Sequence, residues 1–301
     1  MAKKGKDARQ TVGSDEVAEE VRPLTDLLRL PAGPVDLSTL DPQATPGYPG
    51  RGKADSQALT DALAPELGDL QERLFATGRT TGAWAKSILV VLQGMDTSGK
   101  GGAIRHAIGM VDPQGVRINA FKAPTEEEKS HPFLWRIERE LPIPGIIGIF
   151  DRSHYEDVLI VRVHNLVEEA VWSQRYDEIN AWEQGLVDTG TILIKCFLNI
   201  SNEEQKARLE ARLDDPTKHW KYNPGDVDER RLWNDYAEAY TAVLERSSTQ
   251  QAPWYVIPSD RKWYRNWAVA ELLAGHLRAL DLKWPEGDFD VLIEKARLAA
   301  S

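Results

Sequence analysis

The sequence predicts an α/β protein built on a five-stranded parallel sheet with covering helices. Three observations carry this. Five short apolar runs, 88–92, 116–121, 146–150, 191–198 and 255–257, have the length and character of strands buried on both faces. Helix-like stretches separate them, which is the alternation a parallel sheet requires. A glycine-rich segment, 94–102, follows the first run directly and precedes a helical stretch.

In chain order, residues 1–53 are rich in charge, Pro and Gly, with Pro31, Pro34, Pro42, Pro46 and Pro49 closely spaced. They read as a tail followed by an irregular arm, either packed on a neighbouring subunit or disordered. Helical periodicity begins near Asp55, where Leu59, Leu63, Leu67, Leu70 and Leu74 form one apolar face. Pro65 marks either a kink or a break between two helices. Three later helix starts have capping-box or related spacing: Thr125 with Glu128, Ser201 with Glu204, and Asp226 with Glu229. The helix after Asp226 sets Trp233, Tyr236, Tyr240, Val243 and Leu244 on one side, which reads as core packing before a ligand platform.

Composition limits the function classes. The 301 residues carry 37 Lys and Arg against 47 Asp and Glu, a net charge of −10. That balance argues against nucleic acid or an anionic membrane as partner, both of which favour a basic surface. It leaves room for a basic cleft in an acidic body. The single cysteine, Cys196, excludes an internal disulfide and, inside an apolar run, reads as a buried inert thiol. No apolar stretch reaches the ~18 residues of a membrane span. Lys3, Lys4 and Lys6 are not followed by the apolar segment of a secretory signal, so the expected location is the cytoplasm.

The chemistry begins at Gly94-Met95-Asp96-Thr97-Ser98-Gly99-Lys100-Gly101-Gly102. A G-x-x-x-x-G-K segment between strand and helix lets backbone N–H groups converge on phosphate oxygens, and its lysine adds a mobile charge. A structural glycine turn is the plainer alternative. The Ser or Thr that usually follows the lysine and holds Mg²⁺ is Gly101 here. Another oxygen must then serve a metal, and Asp96 is the candidate, with a simple turn role as its alternative. The third apolar run leads into Asp151-Arg152-Ser153-His154-Tyr155-Glu156-Asp157. An acid at the end of a buried strand suits a Mg²⁺-directed carboxylate or a helix cap, and Arg152 beside it suits a transferring phosphoryl group. His154 has no second histidine at ligand spacing and reads as polar packing. Arg208, Arg212, Lys218 and Lys221 form a basic cluster after the fourth run, and Arg261, Lys262 and Arg265 another after the fifth.

Together these motifs resemble the polyphosphate kinase 2 family over roughly 82–282. The likeness rests on 94–102, on 113–117 with Phe121-Lys122-Ala123-Pro124-Thr125-Glu126-Glu127-Glu128, and on 150–157 with Val161-Arg162-Val163. It continues through Lys218-His219-Trp220-Lys221 and from Trp254-Tyr255-Val256 to Trp263-Tyr264-Arg265. The resemblance implies a P-loop kinase fold similar to thymidylate kinase over 54–301, with a helical lid near 205–235. It implies phosphoryl transfer between inorganic polyphosphate and adenine nucleotides, Mg²⁺ as cofactor, and a homo-oligomer. By the same resemblance Asp96, Lys100, Asp151 and Arg152 are catalytic, with Asp96 and Asp151 as metal ligands. Gly94, Thr97, Ser98, Gly99, Gly101, Glu156 and Arg162 are implied to contact nucleotide or phosphate, and Lys122, Arg212, Lys218 and Lys221 polyphosphate. Ser153 to Asp157 is similar to the family's third class, which accepts both AMP and ADP. Glu156 stands where ADP-preferring members usually have Asn, and its plainer reading is a surface carboxylate. The competing functions are an ATP-dependent nucleoside monophosphate kinase and a non-catalytic polyphosphate-binding protein.

Overall fold

The computed structural model describes residues 22–82 and 85–301. Of the tail and arm expected over 1–53, residues 1–21, with Lys3, Lys4 and Lys6, lie outside the described residues.

The five strands, β1 (Ser87–Gln93), β2 (Val116–Ala120), β3 (Ile147–Asp151), β4 (Thr191–Asn199) and β5 (Trp254–Pro258), form one parallel sheet in the order β2-β3-β1-β4-β5. Ahead of the sheet run α1 (Leu24–Leu28), α2 (Lys53–Asp61) and α3 (Ala64–Thr81). Pro65 sits in the first turn of α3, so the leucine stripe is broken into two helices. Between the strands lie α4 (Lys100–His106), single-turn helices α5 (Glu126–Lys129), α6 (Trp135–Glu138), α7 (Ile160–Val163) and α8 (Glu169–Trp172), and α9 (Arg175–Asp188). After β4 come α10 (Asn202–Asp214), α11 (Gly225–Arg231) and α12 (Trp233–Ser247). After β5 come α13 (Lys262–Ala279) and α14 (Val291–Ala299).

Strand alternation divides the interior into two cores. Ile88, Val90 and Leu92 of β1 point with Ile194, Cys196 and Leu198 of β4 toward α3, α4 and α13. Leu89 and Val91 point with Leu193 and Phe197 to the other face, against α9 and α12. Cys196 is fully buried, and burial pushes its thiol pKa up, as an inert core thiol requires. The run at 116–121 departs from the expectation of a strand buried on both faces. β2 is an edge strand, and Ile118 is exposed.

The caps also differ. Thr125 and Glu128 form the full reciprocal box. Ser201 accepts from the Glu204 backbone N–H, but the Glu204 carboxylate turns to Arg208 instead. Asp226 and Glu229 form no box: α11 begins at Gly225, Asp226 pairs with Arg212, and Glu229 accepts from His164 and Tyr236.

One charged network lies inside the second core. Lys195 Nζ donates to Glu183 Oε2 at 2.6 Å and to the Ser247 carbonyl at 2.7 Å, and Tyr155 Oη donates to Glu183 Oε1 at 2.7 Å. His154 Nε2 lies 3.1 Å from the same carboxylate oxygen, and His154, Glu183 and Lys195 have essentially no solvent exposure. Burial disfavours the Glu183 charge, but Lys195 and His154 outweigh it and hold its pKa below the ordinary carboxylate value. The network anchors residues 153–158 to β4, α9 and α12, and so fixes the turn that carries Glu156. His154 is therefore a packed polar residue, as its isolation in the sequence indicated.

Candidate active site

The site forms at the carboxyl ends of β1 and β3. Register sets Leu92 opposite Asp151, so the chain leaves both strands at one level. The Arg152 N–H donates to the Leu92 carbonyl at 3.2 Å. Thr97 and Arg152 both adopt left-handed backbone, with φ of 62° and 65°. Such a conformation costs a side-chain-bearing residue roughly 1 kcal/mol or more, and its recurrence on two adjoining loops marks a constrained site. Arg152 Nη2 donates to Asp96 Oδ1 at 3.1 Å, joining them. Lys100 Nζ reaches back across its loop to the Gly94 carbonyl at 2.8 Å. Burial lowers the Lys100 pKa, while Asp96 pulls it up.

Two cavities meet here. The first, about 210 Å³, is bounded by Gly94, Asp96, Arg152 and Glu156 on one side and by Trp233, Tyr236 and Tyr240 of α12 on the other. Asp96, Glu156, Asp226 and Glu229 outnumber Arg152 on its walls. Glu156 is thus not a surface carboxylate: burial raises its pKa, opposed by Arg152 and Lys100. The aromatic stripe of α12 is divided. Val243, Leu244 and the ring of Tyr240 pack into the core, while Trp233, Tyr236 and Tyr240 also face this cavity. The Tyr240 hydroxyl accepts from the Gly94 N–H at 3.1 Å.

The second cavity, about 680 Å³, has the opposite character. Six Lys and Arg side chains, Lys100, Arg105, Lys122, Arg152, Arg212 and Lys221, stand against three Asp. Thr97, Gly99 and Gly101 also border it, and the exposed Trp220 lies under the Lys221 ammonium at 4.9 Å. Asp96, Arg152 and Asp226 line both cavities. The basic cleft in an acidic body is therefore present.

Some expected site residues lie elsewhere. Lys218 is held by Asp215 at 2.6 Å and lines neither cavity. Arg162 stacks on Trp172 at 4.9 Å and reaches Glu238 at 4.0 Å, also away from both. The Ser98 side chain is buried beneath the loop, and its hydroxyl has no partner among the described residues. Arg208 is a buried support instead of a phosphate-facing cation. It donates to the carbonyls of Thr97 at 2.8 Å and Ser98 at 3.0 Å. Gln205 joins it, donating to the Asp96 carbonyl at 3.1 Å. Gln205 and Arg105 escape the sequence reading, and Trp220 enters it only within the 218–221 motif; Arg105 carries a signal, as a cation one helical turn and a residue beyond Lys100.

Among the described residues no group of three or more His, Cys, Asp or Glu side chains converges as a metal cage. Asp96 and Asp151 nevertheless border one cavity as oxygen donors, with only Oδ1 of Asp96 taken by Arg152. Two carboxylates facing a cation-lined cavity suit Mg²⁺, which completes its shell with water and substrate oxygens.

Residues 53–284 match the family described as Polyphosphate kinase 2 (PPK2). An AMP/ADP-polyphosphate phosphotransferase of Meiothermus ruber is 46% identical over 256 residues, covering 85% of this chain and 93% of the relative. An ADP-polyphosphate phosphotransferase of Rhodopseudomonas palustris is 39% identical, covering 84% and 89%. The crystal structure of polyphosphate kinase 2 from Arthrobacter aurescens is similar with a TM-score of 0.90 at 50% identity, over 94% of this chain and 99% of that one.

Proposed function

The chain belongs to the polyphosphate kinase 2 family, and we propose that it transfers phosphoryl groups between inorganic polyphosphate and AMP or ADP. One observation carries the assignment of substrates to places: an aromatic, acid-walled cavity and a cationic cavity share Asp96 and Arg152 at their junction. The nucleotide occupies the first. Its base lies against Trp233, Tyr236 and Tyr240, and its phosphates point toward Arg152 and the Gly94–Gly102 loop. Polyphosphate occupies the second, neutralised by Lys122, Arg212 and Lys221. The acidic residues of the first cavity accept hydrogen bonds from base and ribose, while too many phosphates there would meet like charge.

The reaction needs positioning and charge neutralisation more than covalent help from the protein. A terminal oxygen of the nucleotide forms the new P–O bond to the terminal phosphorus of the polyphosphate chain. The bond from that phosphorus to the bridging oxygen of the chain breaks, and the shortened chain leaves with the electron pair. The attacking oxygen is already ionised near neutral pH, so no strong base is required. Lys100 and Arg152 hold the transferring group. Asp96 and Asp151 would hold Mg²⁺, which when bound offsets charge on donor and acceptor phosphates. Within the 205–235 segment, the part beyond the buried Gln205 and Arg208 acts as a lid, carrying Arg212 and Lys221 over the cationic cavity.

Purified protein with Mg²⁺ and AMP or ADP, with and without polyphosphate, tests the proposal. ATP formed only when polyphosphate is present supports it. Transfer between nucleotides alone would make it an ATP-dependent monophosphate kinase, and binding without turnover a non-catalytic polyphosphate binder.

A further inference from the structure

Two guanidinium groups lie beneath the Gly94–Gly102 loop, on the side away from both cavities. Arg265 of α13 is 3% exposed. Its Nη1 donates to the Ser98 carbonyl at 3.1 Å, and Nη2 donates to the Asn266 side-chain oxygen at 2.8 Å. Its Nε is buried without a hydrogen-bond partner among the described residues. Arg208, 6% exposed, donates to the same Ser98 carbonyl. Arg208 has a carboxylate, Glu204, at 2.7 Å. Among the described residues, no carboxylate lies within ion-pair distance of Arg265.

The loop is shaped around Arg265. A Cβ on Gly99 would overlap its guanidinium, and one on Gly102 would press on Nη2. Gly101 faces open space. Gly99 and Gly102 are thus small to admit the arginine from below, while Gly101 leaves the cavity side clear. Both guanidiniums hold loop carbonyls downward, which helps keep Thr97 in its left-handed conformation. An unpaired buried cation is costly unless something offsets it. Burial and the nearby Arg208 both work against the Arg265 charge. The one large anion the loop is shaped to hold is a phosphate chain on its upper face.

We propose that Arg265 is a positioning residue whose missing counter-ion is the substrate phosphate: it fixes the loop through Ser98 and supplies positive potential from below. Arg208 shares the first role only, since Glu204 already offsets its charge. The inference rests on the loop being a phosphate site.

The test uses the full chain and tripolyphosphate without nucleotide, with affinity read by calorimetry and stability by thermal unfolding. For Arg265→Gln, the affinity for tripolyphosphate should fall about tenfold, while the ligand-free protein unfolds no earlier than the parent. Arg265→Lys should recover part of the affinity, because charge returns without the fork. In turnover, Arg265→Gln should raise the polyphosphate KM more than the ADP KM. An Arg265→Gln protein that binds tripolyphosphate as the parent does overturns the inference. So does one that loses affinity only in proportion to lost stability, which would make Arg265 a purely structural residue. Parent protein that fails to bind tripolyphosphate overturns the phosphate-site reading itself, a distinct result.

Discussion

Arg152 Nη2 lies 3.1 Å from Asp96 Oδ1, and this pair closes the gap between the β3 exit and the loop after β1. Each residue borders both cavities. Donor and acceptor phosphates entering from opposite sides would therefore meet at one charged junction.

Asp96→Asn removes a carboxylate charge while keeping the side-chain shape. The expected loss in kcat is about 10²- to 10⁴-fold, with a folded protein. Initial rates at saturating polyphosphate and ADP, with circular dichroism as a fold control, check this. Near-parental turnover would remove Asp96 from the chemistry.

Glu156→Asn exchanges a half-buried acid on the wall of the first cavity for an amide. The ratio of kcat/KM for AMP to that for ADP should shift toward ADP by about tenfold. An unchanged ratio would separate Glu156 from acceptor choice.

Lys218→Ala should leave the polyphosphate KM within about twofold, because its ammonium is engaged by Asp215 on an exposed turn. A large rise would mean that the 205–235 segment carries Lys218 into the cavity during turnover.

Glu183→Gln leaves the Lys195 ammonium buried without its carboxylate. The expected destabilisation is about 3–5 kcal/mol, read from chemical denaturation. A shift below about 1 kcal/mol would show that the network contributes little.

His276 sits at the opposite end of the sheet, where burial pushes its pKa down from 6.5 to about 4. The unfolded chain then binds the proton more readily than the folded one. Stability is full above pH 6.5 and is lost as pH falls toward 4, by about 3 kcal/mol. Burial lowers His154 in the same direction. His276→Leu should flatten the fall in denaturation midpoint across that window without abolishing it. An identical slope would assign the pH dependence to other groups.

The sheet was legible because strands buried on both faces leave continuous apolar runs, and each predicted strand falls within about a residue of its observed limits. β2 misled only in burial, since strand order is not written in a single strand's composition. The Gly94–Gly102 loop and 151–157 were legible because their chemistry is local in sequence. Arg208 and Arg265 were not. Each acts on Ser98 across more than a hundred residues, and nothing local distinguishes a cation facing phosphate from one facing carbonyls. Lys218 and Lys221 show the same limit at short range: one turn sends the first to Asp215 and the second to the cavity. The α12 stripe was half legible, because one apolar face can serve a core at one end and a ligand at the other.

The central claim is that nucleotide and polyphosphate occupy separate cavities that meet at Asp96 and Arg152. Two-substrate initial-rate kinetics on Lys221→Ala tests it most directly. The polyphosphate KM should rise about tenfold, more steeply at low salt, with the ADP KM unchanged. Equal rises in both constants, or a rise for ADP alone, would contradict it.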